Sequence, residues 1–233
     1  NRHSLAHLLA AAVGELYPGT KNTIGPAIDN GFYYDFEFPA EIDGKPFTIS
    51  EKDLPKIEKV MRKMLPSWHG FSHKELSEKE ARATFANNPY KLELIEEIVK
   101  KGEKITVYSS GPESKQFTDL CRGGHSDDMA KDVPADSFKL LRLAGAYWRG
   151  DETKTMLTRI YGLAFGSKLA LDEYETMLEE AKKRDHKILG PALDLFTFSD
   201  LVGAGLPLWT PKGTVVRNLL DNFVWELRSA HGY

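Results

Sequence analysis

The sequence lacks several features that would each assign it to a class of protein. It contains one cysteine, so no disulfide can form within the chain, and a reducing environment is expected. No apolar run approaches the ~18 residues that a membrane-spanning helix needs. No basic and apolar signal segment opens the chain, and there is no internal repeat or low-complexity tract. These absences predict a cytoplasmic location and no membrane partner.

The charge balance also lacks a basic excess. The net charge is −3, which argues weakly against a nucleic-acid partner, although a local lysine and arginine face can coexist with an acidic remainder. The composition, 41% apolar and 28% charged, is typical of a globular protein. A chain of 233 residues can hold one large domain, or one domain and part of a second.

Hydrophobic periodicity, capping boxes and turn residues predict a mixture of helices and strands. The predicted helices cover 1–17, 50–65, 77–86, 91–101, 167–186 and 213–231. The predicted strands cover 31–38, 71–76, 105–110, 116–120, 137–148 and 155–165, and Gly190-Pro191 is expected to interrupt helical structure. The expected fold class is α+β, with helices packed on mixed or antiparallel strands and a cleft between two lobes.

Two pairs of chemically active side chains stand out. His3 and His7 are four residues apart on the first predicted helix, so both point to one side of it. Cys121 and His125 have the same spacing across a Gly-Gly loop at a strand end, which is a favourable place for a site. A third pair, His69 and His73, is interpreted as a surface coincidence.

Two chemistries fit if the two pairs converge. The imidazoles and the thiol could hold Zn²⁺ with an open position for an activated water. Without a metal, a histidine or Lys91 could position and deprotonate water while Cys121 and Asp119 hold the substrate. The spacing of the residues does not distinguish the zinc chemistry from the metal-free chemistry.

The tract Tyr147-Trp148-Arg149 could stack on nucleic-acid bases, but packing of both aromatic rings into the core is the favoured interpretation.

A series of linked motifs resembles the editing domain of bacterial-type threonyl-tRNA synthetases over residues 2–166. The motifs are His3-Ser-x-Ala-His7, Asp29-Asn-Gly-Phe-Tyr-Tyr-Asp35, Tyr90-Lys91, Asp119-x-Cys-Arg-Gly-x-His125, Ala144-Gly-Ala-Tyr-Trp-Arg-Gly-Asp151 and Arg159-Ile-Tyr-Gly162. Residues 185–233 resemble the start of the class II catalytic domain of the same family. The resemblance therefore implies an editing domain at 1–166, a linker helix at 167–186 and a catalytic-domain portion through motif 1 at 187–233.

The resemblance implies a deacylase within a threonine–tRNA ligase, which hydrolyses the ester of serine wrongly attached to tRNA(Thr). The alternatives are binding of the tRNA acceptor arm without turnover and a zinc-dependent editing module of the alanyl-tRNA type. The implied partners are the serine-bearing acceptor end of tRNA(Thr) and a second copy of the chain, paired through the motif 1 helix. The ATP-binding motifs 2 and 3 are not in the sequence, so aminoacylation is not expected of it. The resemblance further implies that editing needs no metal, with zinc at His3, His7, Cys121 and His125 as the alternative.

Site residues follow from the resemblance, position by position. It implies that the catalytic group consists of His3, Lys91, Cys121 and His125, and that the substrate-binding group consists of His7, Tyr34 and Asp119. In this assignment His3 and Lys91 position or activate the water, and Asp119 and Cys121 contact the seryl group. His7 and His125 orient the ester-bearing adenosine.

Overall fold

The structure, a computed structural model, describes residues 1–203 and 205–233. It divides into two compact units, Asn1–Asp172 and Glu173–Tyr233, with the boundary inside a helix. Each unit combines helices with antiparallel strands, which confirms the α+β class. The division at residues 166 and 186 that the resemblance implies stays a prediction.

The first unit contains ten strands and five complete helices among its residues, all of which the structure describes. The helices are α1 (Arg2–Leu16), α2 (Leu54–Met64), α3 (Glu78–Thr84), α4 (Pro89–Lys100) and α5 (Met129–Asp132), and α6 (Lys168–Lys183) contains the boundary. The strands are β1 (Lys21–Asn22), β2 (Ala27–Ile28), β3 (Gly31–Glu37), β4 (Glu41–Ile42), β5 (Lys45–Pro46), β6 (Ser72–Leu76), β7 (Ile105–Ser110), β8 (Phe117–Leu120), β9 (Phe138–Tyr147) and β10 (Met156–Ala164).

The larger sheet has the strand order β1-β3-β10-β9, with β2 also paired to β3, and every pairing is antiparallel. Helices α1 and α2 cover one face, where Leu8 and Leu9 join Phe32 and Phe36 in the main core. Strand β3 presents Phe32, Tyr34 and Phe36 to this core. Its other face is also largely buried, because Asp35 accepts two hydrogen bonds from the Arg159 guanidinium at 2.7 and 2.8 Å.

A smaller antiparallel sheet, β6-β7-β8, carries α3 and α4 against it around a second core cluster that includes Ala81, Ile95 and Val107. Its last strand ends at Leu120, immediately before Cys121. Helix α3 begins with the predicted capping box, in which the Glu80 carboxylate accepts from the Ser77 backbone and hydroxyl. The site described below lies between this sheet and α1.

Two boundary predictions are wrong. Helix α4 begins at Pro89 rather than at Lys91, because proline is favoured at the first helical position and Asn88 caps the helix. Gly190 and Pro191 lie inside a short helix, α7 (His186–Ala192), instead of interrupting helical structure.

The second unit adds a small hairpin and a long helix to α7. Strands β11 (Phe196–Thr197) and β12 (Leu208–Trp209) pair antiparallel, and α8 covers Pro211–Ala230. Thr210 caps α8, since its hydroxyl accepts from the Gly213 backbone at 3.1 Å. Within residues 1–203 and 205–233, none of the helices combines the length and apolar character that crossing a membrane requires.

Candidate functional site

Two elements position the thiol and the three imidazoles. His3 and His7 project from the same side of α1, with ring centroids 4.9 Å apart. Cys121 follows β8, and the chain returns to His125 through Gly123 and Gly124, whose φ angles are +97° and +83°. Because L-residues with a Cβ rarely adopt such angles, the two glycines make this tight return feasible.

The two pairs converge as predicted. The Cys121 Sγ atom lies 3.1 Å from His3 Nε2 and 3.3 Å from His125 Nε2. The backbone N–H of Gly123 donates to the same sulfur at 3.2 Å. His7 completes the group, since one ligand atom from each of the four side chains lies within 4.8 Å of the others. The structure thus brings together residues that are up to 122 positions apart in the sequence.

A buried charged group lies next to this cluster. The Lys91 ammonium, on α4, is 2.5 Å from Asp119 Oδ1, and both side chains are almost completely buried, at 1% and 2% exposure. The Tyr34 hydroxyl donates to the other Asp119 oxygen, and the Lys91 ammonium donates to Tyr34 Oη at 3.3 Å. A buried carboxylate held by several donors is fixed in position, so this group forms a fixed dipole at the cavity wall.

Burial sets the protonation of the imidazoles. It lowers the pKa of His7 to about 4, against a partial opposing effect of the Asp119 charge. It also lowers the pKa of His125 to about 3, with further contributions from His7 and His3. The pKa of His3 is lowered by the same cause, while a hydrogen bond to the Gly25 backbone opposes the change. All three imidazoles are therefore neutral at neutral pH and can accept protons or bind metals.

Burial has the opposite effect on the acidic groups. It raises the pKa of the Cys121 thiol, although the hydrogen bond from the Gly123 backbone lowers it in part. It raises the pKa of Tyr34 well above its usual value, and the Asp119 charge adds to that effect. Cys121 is therefore a thiol and not a reactive thiolate at neutral pH, which favours a substrate-holding role over nucleophilic attack.

One polar atom in the site has no partner among the described residues. His7 Nδ1 is buried and makes no hydrogen bond, and Asp119 Oδ2 lies 4.0 Å from it. A buried nitrogen of this kind is costly unless another group satisfies it. The gap between His7 and Asp119 is thus suited to a hydroxyl or a water molecule.

These groups line a cavity of about 400 Å³. Its inner wall contains His3, His7, Tyr34, Lys91, Asp119 and Cys121. Three basic residues, Lys101, Lys104 and Arg122, lie on its outer lining, together with Glu97. A neutral, polar interior with cations at the outer lining is suited to a polar substrate attached to a phosphate backbone.

The donor set also fits a zinc ion. Three neutral imidazoles and one thiol are typical zinc ligands, and Zn–N and Zn–S bonds near 2.0–2.3 Å place tetrahedral ligands about 3.3–3.8 Å apart. The ligand atoms here lie within 4.8 Å of one another, so a modest contraction, with loss of the thiol proton, would be needed for binding.

The sequence did not identify three residues that support the site. Asn22 donates to Tyr34 Oη at 3.1 Å and to Asp119 Oδ1 at 3.4 Å. Asn88 donates to the Asn22 carbonyl at 2.7 Å and caps α4. Asn88-Pro89 is a helix-start signature that could have been recognised, whereas Asn22 has no local signal. The third residue, Ser4, is considered below.

The aromatic tract after β9 has a structural role in part. Trp148 is buried against Tyr90 and donates to Glu93 at 2.9 Å. Tyr147 is 38% exposed, so the expectation that both rings enter the core is wrong for Tyr147.

His69 and His73 are exposed and outside the cavity, in agreement with their interpretation as surface residues.

The chain is similar along its whole length to curated proteins. It is 48% identical over 233 residues to a protein of Rubrobacter xylanophilus, 47% over 232 residues to one of Dehalococcoides mccartyi, and 48% over 235 residues to one of Thermotoga petrophila. Each alignment covers 100% of this chain and 34%, 37% and 34% of the respective relative, so the chain spans about a third of their length. No protein-family model matches. All three relatives bear the name threonine–tRNA ligase, which confirms the resemblance found in the motifs.

Proposed function

Since the chain is homologous over its whole length to a part of threonine–tRNA ligases, we propose that it removes serine from mischarged tRNA(Thr) by hydrolysis. The observation that carries this proposal is the convergence of a thiol, three neutral imidazoles and a buried Lys91–Asp119 pair beside an open cavity. These groups can bind a small hydroxy amino acid and move protons, and the basic outer lining suits an RNA end.

The proposed reaction meets a clear physical need. Serine and threonine differ by one methyl group, which a binding pocket distinguishes by only about 1–3 kcal/mol. A synthetase therefore needs a second site that accepts the smaller amino acid and rejects the larger one. The proposed site would admit the seryl group and exclude threonine by crowding its methyl.

The proposed chemistry is a single hydrolytic exchange. The oxygen of a water molecule forms a bond to the ester carbonyl carbon, and the bond to the ribose oxygen breaks. His3, which is neutral, would accept the water proton at Nε2 once the Cys121 thiol turns from it to contact the seryl group, and would then return the proton to the departing ribose oxygen. The Lys91 ammonium would offset negative charge on the carbonyl oxygen, while Asp119 and Cys121 contact the seryl group.

The remaining groups would orient the substrate. His7 and His125 would orient the terminal adenosine, and Tyr34 would form part of the cavity wall. Residues 1–166 would form the editing domain, 167–186 the linker helix and 187–233 a motif 1 region. Several apolar side chains of α8 are exposed, including Leu219, Leu220 and Phe223. The proposal therefore includes pairing with a second copy of the chain through this helix. It also includes a cytoplasmic location.

Zinc is the second candidate for the same site. The convergence of His3, His7, Cys121 and His125 supports it, and a bound zinc ion would supply Lewis-acid activation of water. In that case His3, His7 and His125 would act as ligands through neutral nitrogens. The metal-free assignment remains first because His3 and Lys91 line the same cavity, which supports their proposed roles as proton acceptor and cation.

The test is a deacylation assay with serine-charged and threonine-charged tRNA(Thr), run with a chelator and again with added zinc. We expect saturable release of serine, sparing of threonine, and activity in the chelator. His3→Gln and Cys121→Ser should each abolish most of the activity, whereas His73→Ala, a matched exposed histidine, should retain it. Retention of mischarged tRNA without hydrolysis would contradict the proposal, and activity found with zinc alone would contradict the metal-free version.

A further inference from the structure

Ser4 is a fully buried hydroxyl in the first turn of α1, between the two histidines of that helix. Its Oγ accepts a hydrogen bond from the backbone N–H of Ser126 at 2.9 Å. The same oxygen lies 3.3 Å from Nδ1 of His125. Ser4 thereby links α1 to the loop that carries the histidine of the second pair.

The direction of these hydrogen bonds follows from the donor capacity of each group. A backbone N–H can only donate, so the Ser4 oxygen is an acceptor toward Ser126. The Ser4 hydroxyl has one hydrogen, and leaving it unused in a buried position is unfavourable. Within residues 1–203 and 205–233, His125 Nδ1 is the acceptor that this hydroxyl reaches. The hydroxyl therefore donates to Nδ1.

This direction determines the rest of the chain of contacts. A neutral imidazole has one donor and one acceptor nitrogen, so acceptance at Nδ1 places the ring hydrogen on Nε2. That hydrogen points at Cys121 Sγ, 3.3 Å away, which also accepts from the Gly123 N–H at 3.2 Å. The sulfur, facing two donors, directs its own hydrogen to His3 Nε2 at 3.1 Å, which is much nearer than its other acceptor, the Gly123 carbonyl at 3.9 Å.

We propose that Ser4 is a positioning residue that fixes neutral His125 as the Nε2–H tautomer and so directs the Cys121 thiol hydrogen toward His3. The link to hydrolysis rests on the proposed function, whereas the tautomer does not. A zinc ion on His125 Nε2 would require the opposite tautomer, with Nδ1–H donating to Ser4. The Ser4 hydroxyl therefore opposes a metal at this histidine.

The deciding measurement is nitrogen-15 NMR of histidine side chains in the full chain, at neutral pH in the presence of a chelator. The wild-type His125 ring should show a protonated, pyrrole-type Nε2 and an unprotonated, pyridine-type Nδ1. Ser4→Ala should convert this pattern to a mixture or to the Nδ1–H form. Ser4→Thr, which keeps the hydroxyl, should preserve the wild-type pattern.

The matched control is Ser137→Ala. Ser137 is also fully buried, and its hydroxyl donates to the Pro134 carbonyl at 2.8 Å, away from the cavity. The Ser137→Ala variant should lose about as much stability as Ser4→Ala, but the His125 signals should stay unchanged. In the deacylation assay, Ser4→Ala should lower kcat about tenfold with little change in KM, as expected from one lost orienting hydrogen bond.

Two results would overturn the inference. One is a wild-type spectrum in which His125 is an Nδ1–H tautomer or a mixture of tautomers. This test does not depend on whether a variant folds. The other is a Ser4→Ala spectrum identical to wild type. A wild-type chain that shows the Nε2–H tautomer but does not hydrolyse mischarged tRNA would contradict the proposed function and leave the tautomer assignment intact.

Discussion

The Lys91–Asp119 pair gives the sharpest prediction about stability. Both side chains are buried, and Asp119 also accepts from Tyr34, from Asn22 and from the Leu120 backbone. Replacing one partner leaves the other as an uncompensated buried charge. Lys91→Met or Asp119→Asn alone should therefore lower the free energy of unfolding by about 3–5 kcal/mol.

The double variant should be much less damaging than the sum of the single ones. With both charges gone, Tyr34 and Asn22 can still satisfy the asparagine amide, and no buried charge remains. We expect Lys91→Met/Asp119→Asn to be at least as stable as either single variant. That places the coupling free energy at or above about 3 kcal/mol, the smallest loss expected from one single variant.

The same helix offers a matched control. Lys100 and Glu96 form an ion pair of nearly the same length, 2.7 Å, but their side chains are 71% and 52% exposed. The corresponding cycle, Lys100→Met with Glu96→Gln, should give a much smaller coupling, because water screens exposed charges. Equilibrium urea unfolding followed by circular dichroism measures both cycles. Coupling within about 0.5 kcal/mol of zero for the buried pair would refute the reasoning.

Three further predictions concern pH, backbone strain and capping. Because the pKa of His7 falls from 6.5 to about 4 on folding, its contribution to stability is constant above pH 6.5 and is lost as pH falls toward 4. By pH 4 the wild type should have lost about 3 kcal/mol more in urea unfolding than His7→Gln, which keeps only the part of the loss due to His3 and His125. Gly123→Ala should be more destabilising than Gly124→Ala. Both glycines have a positive φ, but of the two only Gly123 would place a Cβ against another side chain, 2.5 Å from the Tyr108 hydroxyl. Equal losses of stability in urea unfolding would contradict this. Asn88→Ala should lower the free energy of unfolding by about 1 kcal/mol, because α4 loses its N-terminal cap. The same variant should slow deacylation, and an unchanged rate would show that Asn88 does not help position Lys91.

Much of the local structure could be predicted from the sequence. The long helices and the longer strands of both sheets were predicted, whereas the two-residue strands β1 and β2 of the larger sheet were missed. The Ser77–Glu80 capping box marked the start of α3. These signals are local, since they depend on side chains within one or two turns of each other. The local signals failed at two prolines, because proline can either end a helix or be accommodated in one. Pro89 opens α4, and Pro191 lies inside α7.

The candidate site was only partly visible in the sequence. The four-residue spacings placed each pair of donors on one side of its element, and the resemblance grouped them with Lys91 and Asp119. Asn22 and Ser4 were missed as contributors to the site, because their roles depend on hydrogen bonds to residues 97 and 121 positions away. A single asparagine or serine has no periodic or spacing signal that reports such a partner.

The sequence alone determined which elements form and which side chains each element presents together, because helical period, strand alternation and capping act over a few residues. Only the tertiary structure decided that α1 meets the loop after β8, that the imidazoles are neutral, and that Lys91 and Asp119 form a direct, buried ion pair. The physical reason is that distances across the fold and the loss of solvent arise only when the two sheets and their helices pack together.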